Sequence, residues 1–171
     1  MALEQTVTAT MDRIEKKVVL RAPLPRVWRA ISDVKEFGTW FGVSFDGPFE
    51  PGKRLKGRLV PTQVDPEVAK MQEPYRGFTF DIVVEAVDPM SRLSFHWHPS
   101  PVEPGADYSK EPMTLVSFDL REVPGGTELT VTESGFDRIP LERRAKAFRG
   151  NEEGWEKQTT LIASYLARAG A

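Results

Sequence analysis

The sequence contains no cysteine and only two histidines, and its charges nearly balance. Without cysteine the chain forms no disulfide and has no thiol nucleophile, which fits a reducing cytoplasm. With 23 basic and 25 acidic side chains the net charge is −2, so the basic excess that drives binding to nucleic acid or anionic membranes is absent. No run of about 18 apolar residues occurs, so no membrane span is expected. We therefore expect a cytoplasmic protein.

Signatures of cofactor binding and catalysis are also absent. No phosphate-binding loop, dinucleotide fingerprint or nucleophile elbow occurs, and we predict no cofactor. The two histidines, His96 and His98, are two residues apart on a predicted strand and therefore share one face. Phe95 and Trp97 occupy the other, apolar face, which places the histidines in solvent. No third ligand is evident, so we predict no metal site and no hydrolytic triad.

The chain is long enough for one domain with its own core, since it has 171 residues of which 40% are apolar. Residues 1–12 show no periodicity, and we expect them to form a flexible leader. Residues 13–169 contain no internal repeat and no linker, and we expect them to form a single domain.

Hydrophobic periodicity predicts a strand over residues 14–20, followed by two short helices. Pro23 and Pro25 open the first helix, and residues 34–41 form the second, which is rich in aromatic side chains. After Gly42 the period changes to two, which predicts six further strands. These strands cover residues 43–49, 53–60, 77–87, 92–98, 113–123 and 127–136. Two proline-rich segments, 61–74 and 99–112, are expected to be long loops.

The last stretch, residues 140–169, predicts one long helix. Pro140 suits a first helical position, and Gly170 suits the stop. Gly150 and Gly154 each cost about 1 kcal/mol relative to alanine, which indicates a packing role or a bend. One stripe of the helix carries residues spaced by three or four, namely Phe148, Asn151, Trp155, Thr159, Ile162 and Leu166.

Together these elements predict an α+β fold in which a curved antiparallel sheet of about seven strands grips the long C-terminal helix. Consecutive strands joined by turns make the sheet antiparallel, and the helix is the one long amphipathic element that can cover its apolar face. A curved sheet and a straight helix leave a gap unless large side chains fill it, so we expect a cavity between them.

Several short motifs follow one another along the chain, namely Ala22-Pro23, Val27-Trp28, Trp40-Phe41, Pro89, residues 92–97, residues 114–120, residues 125–129, residues 132–136 and Gly154-Trp155. This ordered set resembles the Aha-type family, bacterial homologues of the C-terminal domain of a heat-shock chaperone ATPase activator. This family belongs to the START-like (SRPBCC) superfamily, which has the helix-grip fold of the birch pollen allergen. The resemblance extends over about residues 13–167.

The resemblance implies the helix-grip fold but leaves the function open, because the superfamily includes lipid and steroid carriers, hormone receptors, and polyketide cyclases or aromatases. Thr159 stands where the family usually has an apolar residue, and the segments 61–74 and 99–112 are longer than usual. Both departures alter the wall or mouth of a cavity.

Glu133 is the strongest candidate functional residue. It has the same strand parity as Leu129 and Val131, so its carboxyl group is expected to face inward and to have a raised pKa. Such a group can anchor a ligand or act as a general acid or base. The alternative is a structural carboxylate that bonds to a loop or to an arginine.

We hypothesise that the protein binds a small apolar or amphipathic molecule in the cavity between sheet and helix. One alternative is a cyclase or dehydratase that uses Glu133 as acid and base. Another is an interaction module like the chaperone cofactor, although a chaperone partner is disfavoured. A homodimer formed through the sheet edge or the helix is compatible with the pattern. The candidate ligand-binding residues are Trp40, Phe41, Phe80, Trp97, Phe118, Glu133, Asn151, Trp155 and Thr159.

Overall fold

A computed structural model of the chain describes residues 12–99 and 110–168. These residues contain the helices α1 (Leu24–Ser32), α2 (Val34–Phe41), α3 (Pro66–Gln72) and α4 (Leu141–Ala167). Short 3-10 turns cover Glu73–Tyr75 and Phe136–Arg138. The strands are β1 (Arg13–Leu20), β2 (Val43–Phe45), β3 (Arg54–Leu59), β4 (Thr79–Asp88), β5 (Arg92–Trp97), β6 (Thr114–Val123) and β7 (Gly126–Ser134).

The strands form one curved antiparallel sheet in the order β1-β7-β6-β5-β4-β3-β2. Strands β2 to β7 are neighbours in chain order, while β1 joins the opposite end of the sheet beside β7. The helix α4 packs across the inner face and buries Phe148, Trp155 and Ile162 from the predicted stripe. The α+β helix-grip fold predicted from the sequence is therefore confirmed. No helix in the described part of the chain is long and apolar enough to cross a membrane.

The predicted loop over residues 61–74 is wrong, because it contains the helix α3. Asp65 caps this helix, since its side chain accepts hydrogen bonds from the backbone N–H groups of Glu67 and Val68. Pro66 follows at the first helical position, where its missing N–H costs nothing. The Asp-Pro pair is a helix-start signal that was available in the sequence.

Strand β2 is shorter than predicted and ends at Phe45. Beyond it the side chain of Asp46 accepts a hydrogen bond from the Lys56 backbone N–H at 3.0 Å, and Pro48 has no N–H to donate to a ladder. The expected leader falls almost entirely outside the described residues, and so does most of the expected loop over residues 99–112.

Aromatic side chains fill the space between the sheet and the helices. The buried ring of Phe37 lies at centroid distances of 4.8 Å from Trp40, 5.5 Å from Phe49 and 5.8 Å from Phe118. Rings of this size occupy much of the volume that a curved sheet leaves above its inner face.

Candidate functional site

Glu133 lies at the end of β7 with its side chain fully buried. Thr127, Leu129 and Val131 on the same strand are buried too, so the predicted inward orientation is confirmed. Alternation along the strand thus brings a carboxyl group into the apolar face of the sheet, where neighbouring polar groups must satisfy it.

Four side chains from three other elements donate hydrogen bonds to this carboxyl group. The Trp97 indole Nε1 and the Thr114 hydroxyl lie 2.8 Å and 2.6 Å from its Oε2. From α4, the Trp155 indole Nε1 lies 2.8 Å from Oε1, and the Asn151 amide nitrogen lies 2.9 Å from both oxygens. Within the described residues Glu133 has no ion-pair partner, so neutral donors alone hold it.

Burial raises the pKa of Glu133 above its ordinary value, although the hydrogen bonds from Thr114, Trp97, Trp155 and Asn151 act in the opposite direction. The surroundings accept either protonation state. Indole N–H groups only donate, which suits the carboxylate. In the acid form the carboxyl group can donate its proton to the Thr114 hydroxyl oxygen. The Thr114 hydroxyl can then donate to the Trp97 carbonyl oxygen, which lies 3.5 Å away.

A small pocket adjoins this hydrogen-bonded cluster. The rings of Trp97 and Trp155 stack at a centroid distance of 5.6 Å, and Phe41 lies 6.2 Å and 6.0 Å from them. The pocket has a volume of about 130 Å³. Its lining consists of Phe41, Trp97, Gly150, Asn151, Gly154, Trp155 and Gln158.

The C-terminal end of α2 holds Phe41 in this wall. Gly42 ends the helix in the left-handed region at φ 96°, where glycine has no steric cost. The carbonyl of Phe41 accepts hydrogen bonds from Gln158 Nε2 at 3.0 Å and Gln72 Nε2 at 3.4 Å. Helices α2, α3 and α4 therefore meet at one carbonyl group.

Among the predicted ligand-binding residues, Phe41, Trp97, Asn151 and Trp155 line the pocket, while Glu133 and four others lie outside its lining. Trp40 is buried, and its indole donates to the Ala30 carbonyl at 2.9 Å. Phe80 and Phe118 pack edge-on against the two pocket tryptophans, at 6.1 Å from Trp97 and 5.7 Å from Trp155. The Thr159 hydroxyl donates to the Trp155 carbonyl at 3.0 Å.

Two polar residues of the site, Thr114 and Gln158, were missed by sequence reasoning. Gln158 follows Gly150 and Gly154 at steps of four, so helical spacing was a signal that all three share a face. Thr114 pairs with Trp97 in one ladder, and Val116, two residues further along β6, pairs with Glu133 in the next. Thr114 and Glu133 are therefore diagonal neighbours on the same face of the sheet. That registration exists only once the strands are aligned.

The histidine pair lies apart from this site. His98 Nε2 is 3.0 Å from the carbonyl oxygen of Glu111, at the end of β5. Among the described residues, no group of three or more histidine, cysteine, aspartate or glutamate side chains is placed to hold a metal ion.

Several solved structures are similar to this chain. DynU16, a protein in the dynemicin biosynthetic locus, has 26% sequence identity and a TM-score of 0.64; the match covers 92% of this chain and 48% of DynU16. This chain thus spans about half the length of DynU16. MLL2253 from Mesorhizobium loti has 21% identity and a TM-score of 0.67, over 93% of this chain and 99% of its own. Ms6760 from Mycobacterium smegmatis has 19% identity and a TM-score of 0.64, over 94% and 93% of the two chains.

The two comparisons below 25% identity show a shared fold. No curated protein matches the sequence. The sequence profile of the family described as Activator of Hsp90 ATPase homolog 1-like protein matches residues 21–167, which is most of the chain. The chain therefore belongs to the Activator of Hsp90 ATPase homolog 1-like family, within the START-like superfamily.

Proposed function

We propose that this protein binds a small hydrophobic or amphipathic molecule, which inserts a ring-sized apolar group between Phe41, Trp97 and Trp155. The observation that supports this most is the position of the aromatic pocket directly beside the buried carboxyl group of Glu133. Pockets for small molecules combine apolar walls with a few fixed polar groups.

The size of the pocket limits the part of the ligand that enters it. Its volume of about 130 Å³ is below the roughly 300–1,000 Å³ of sites that enclose a whole drug-sized ligand. An apolar protein cavity of about 150 Å³ accepts benzene. The pocket as it stands is therefore suited to one ring, and any remaining part of a larger ligand would lie along the surface.

In this proposal Glu133 is a positioning residue. Its side chain is fully buried and does not line the pocket, while the two indoles that bond to it do. An acid or base must come within hydrogen-bond reach of the reacting atom, and the oxygens of Glu133 already contact four protein donors. The raised pKa keeps the cyclase or dehydratase hypothesis as an alternative, which requires the cluster to open.

The proposal also covers the location of the protein, its oligomeric state and a protein partner. The cytoplasmic location rests on the cysteine-free sequence. A homodimer remains a prediction. A chaperone partner would need an exposed apolar patch, and we rank it after the small-molecule hypothesis.

The test uses a variant that fills the pocket. A Cβ atom built on Gly154 meets no atom within 4 Å, so Gly154→Leu places an aliphatic side chain into the pocket without a backbone clash. Glu153→Leu, one residue earlier on the exposed face of α4, adds the same bulk outside it. Benzene and toluene are the probes, and tryptophan fluorescence together with indole N–H signals in NMR reports their binding.

Wild type and Glu153→Leu are expected to bind toluene, whereas Gly154→Leu is expected to lose binding by at least tenfold. Native mass spectrometry of wild type purified from its host should then show a small molecule that the filled variant lacks. Equal toluene binding by all three proteins, or by none, would contradict the proposal.

A further inference from the structure

We propose that the ligand bears a neutral O–H or N–H group on its ring, and that the side-chain oxygen of Gln158 accepts a hydrogen bond from it. This inference rests on the proposed function, and it specifies the ligand class as a phenol, an aromatic alcohol or an aromatic amine. It derives from the hydrogen-bond inventory of the side chains that line the pocket.

The orientation of the Gln158 amide is determined by its neighbour. Gln158 Nε2 lies 3.0 Å from the carbonyl oxygen of Phe41, and a carbonyl oxygen can only accept. The nitrogen must therefore face Phe41, which leaves Oε1 on the other side of the amide. This oxygen is buried and has no hydrogen-bond partner among the described residues.

A buried acceptor without a donor destabilises the folded protein, and native structures pair nearly all such groups. Gln158 belongs to the pocket lining, next to the aromatic rings that would hold a ligand. A donor on a ligand that reaches this oxygen would therefore satisfy an acceptor that the described residues leave unpaired.

Each side-chain nitrogen of the lining already donates a hydrogen bond within the protein. The indole N–H groups of Trp97 and Trp155 and the amide nitrogen of Asn151 all donate to Glu133. The amide nitrogen of Gln158 donates to Phe41. Although the NH₂ group of Gln158 has a second N–H, the buried atom of the lining that lacks a partner among the described residues is an acceptor, which favours a ligand that donates.

The experiment compares phenol with toluene, two rings of nearly equal shape that differ by a hydroxyl and a methyl group. Their dissociation constants are measured for wild type, Gln158→Met and Gln72→Met by tryptophan fluorescence and NMR. Gln158→Met keeps the volume of the side chain but removes the acceptor. Gln72→Met is the control for the loss of a hydrogen bond to the Phe41 carbonyl, because Gln72 also donates to it yet lies outside the pocket lining.

We expect the preference of wild type for phenol over toluene to fall about fivefold to tenfold in Gln158→Met and to stay unchanged in Gln72→Met. Because the preference is a ratio, differences in the hydration of the two probes cancel between variants. An unchanged ratio with both probes still bound would overturn the inference while the proposed function stands. Failure of wild type to bind either probe would overturn both.

Wild type alone supplies a second measurement, should Gln158→Met lose its fold in circular dichroism. The ratio of the phenol and toluene affinities for the pocket is compared with the ratio of their partition coefficients from water to cyclohexane, which has no acceptor. The inference requires the pocket to favour phenol at least fivefold more than cyclohexane does. Equal phenol-to-toluene ratios for the pocket and for cyclohexane would overturn the inference.

Discussion

At the scale of single residues, Glu133 connects the sheet to the long helix. Its carboxyl group accepts hydrogen bonds from β5 and β6 through Trp97 and Thr114, and from α4 through Trp155 and Asn151. Burying a carboxyl group is unfavourable, and leaving its four donors unpaired would be unfavourable as well. The five side chains therefore stabilise the fold only as a complete set.

Replacing Glu133 by glutamine tests this interdependence. The new amide NH₂ group must take the place of one carboxyl oxygen, so it faces either Trp97 or Trp155, and that indole N–H loses its acceptor. We expect Glu133→Gln to lower the free energy of unfolding at pH 5 by about 1–3 kcal/mol. Denaturant unfolding gives the energy, and one displaced indole signal in the NMR spectrum identifies the tryptophan. Glu153→Gln, an exposed change on α4, is the control, and equal stability of the two variants would refute the interdependence.

The raised pKa of Glu133 predicts a definite sign for the pH dependence of stability. Below pH 4.5, the unperturbed pKa, both folded and unfolded chains hold the proton. Between that pH and the raised folded pKa only the unfolded chain releases it, so the free energy of unfolding falls as pH rises, by up to about 1.4 kcal/mol per pH unit. Above the folded pKa the contribution is constant.

The same linkage is measured as the difference between wild type and Glu133→Gln in unfolding experiments from pH 5 to pH 8. The variant lacks the titrating group, so its deficit should shrink as pH rises, while the other charges contribute equally to both proteins. A deficit that stays constant from pH 5 to pH 8 would show that the folded pKa is not raised.

At the scale of elements, α4 has a low intrinsic helix propensity in its middle and makes tertiary contacts near its C-terminal end. Gly150 and Gly154 reduce its intrinsic helix propensity. Near its C-terminal end the Tyr165 hydroxyl donates to Glu36 at 2.7 Å, and Glu36 also pairs with Arg26 at 2.9 Å. Tertiary contacts thus maintain the helix across the glycines, and the missing side chains leave room for the pocket.

Gly154→Ala separates the two consequences of this glycine. The site is helical and open, so alanine is expected to raise the free energy of unfolding by about 0.5–1 kcal/mol. The added methyl group also occupies part of the pocket, so toluene should bind several-fold more weakly. Thermal unfolding and probe titration measure the two effects. Lower stability would mean that the backbone at this position is strained against alanine.

At the scale of the whole molecule, one aromatic core joins every layer. Phe37 of α2 contacts Trp40 and Phe49, and it meets Phe118 of the inner strand β6 edge-on at 5.8 Å. Phe118 in turn meets Trp155 of α4 at 5.7 Å. Because sheet and helices share these contacts, we expect them to unfold together.

Phe37→Ala removes the centre of that core and is expected to lower the free energy of unfolding by about 3–5 kcal/mol. Circular dichroism, which follows the backbone, and tryptophan fluorescence, which follows the core, should give the same shifted midpoint. Phe78→Ala is the control, because this ring is 44% exposed. Separate transitions for the two signals would disprove a single cooperative core.

Local patterns in the sequence were sufficient for the elements and their order. Alternation in β7 placed Glu133 on the inner face, and the three- and four-residue spacing in α4 placed Asn151 and Trp155 on one stripe. Periodicity predicts which face a residue occupies because strands and helices repeat at 2.0 and 3.6 residues, a property of the backbone alone. The missed helix α3 also had a local signal, in Asp65 and Pro66.

Contacts between elements depend on how the strands and helices pack, which local patterns do not show. Thr114 and Trp97 reach Glu133 because β5, β6 and β7 align in one particular register, and Gln158 meets Phe41 because α4 crosses the end of α2. Whether aromatic side chains fill the core or line a pocket likewise depends on how they pack. Local periodicity was therefore enough to predict the fold and the inward carboxyl group. The partners of that group and the small size of the pocket came from long-range packing, which local periodicity does not encode.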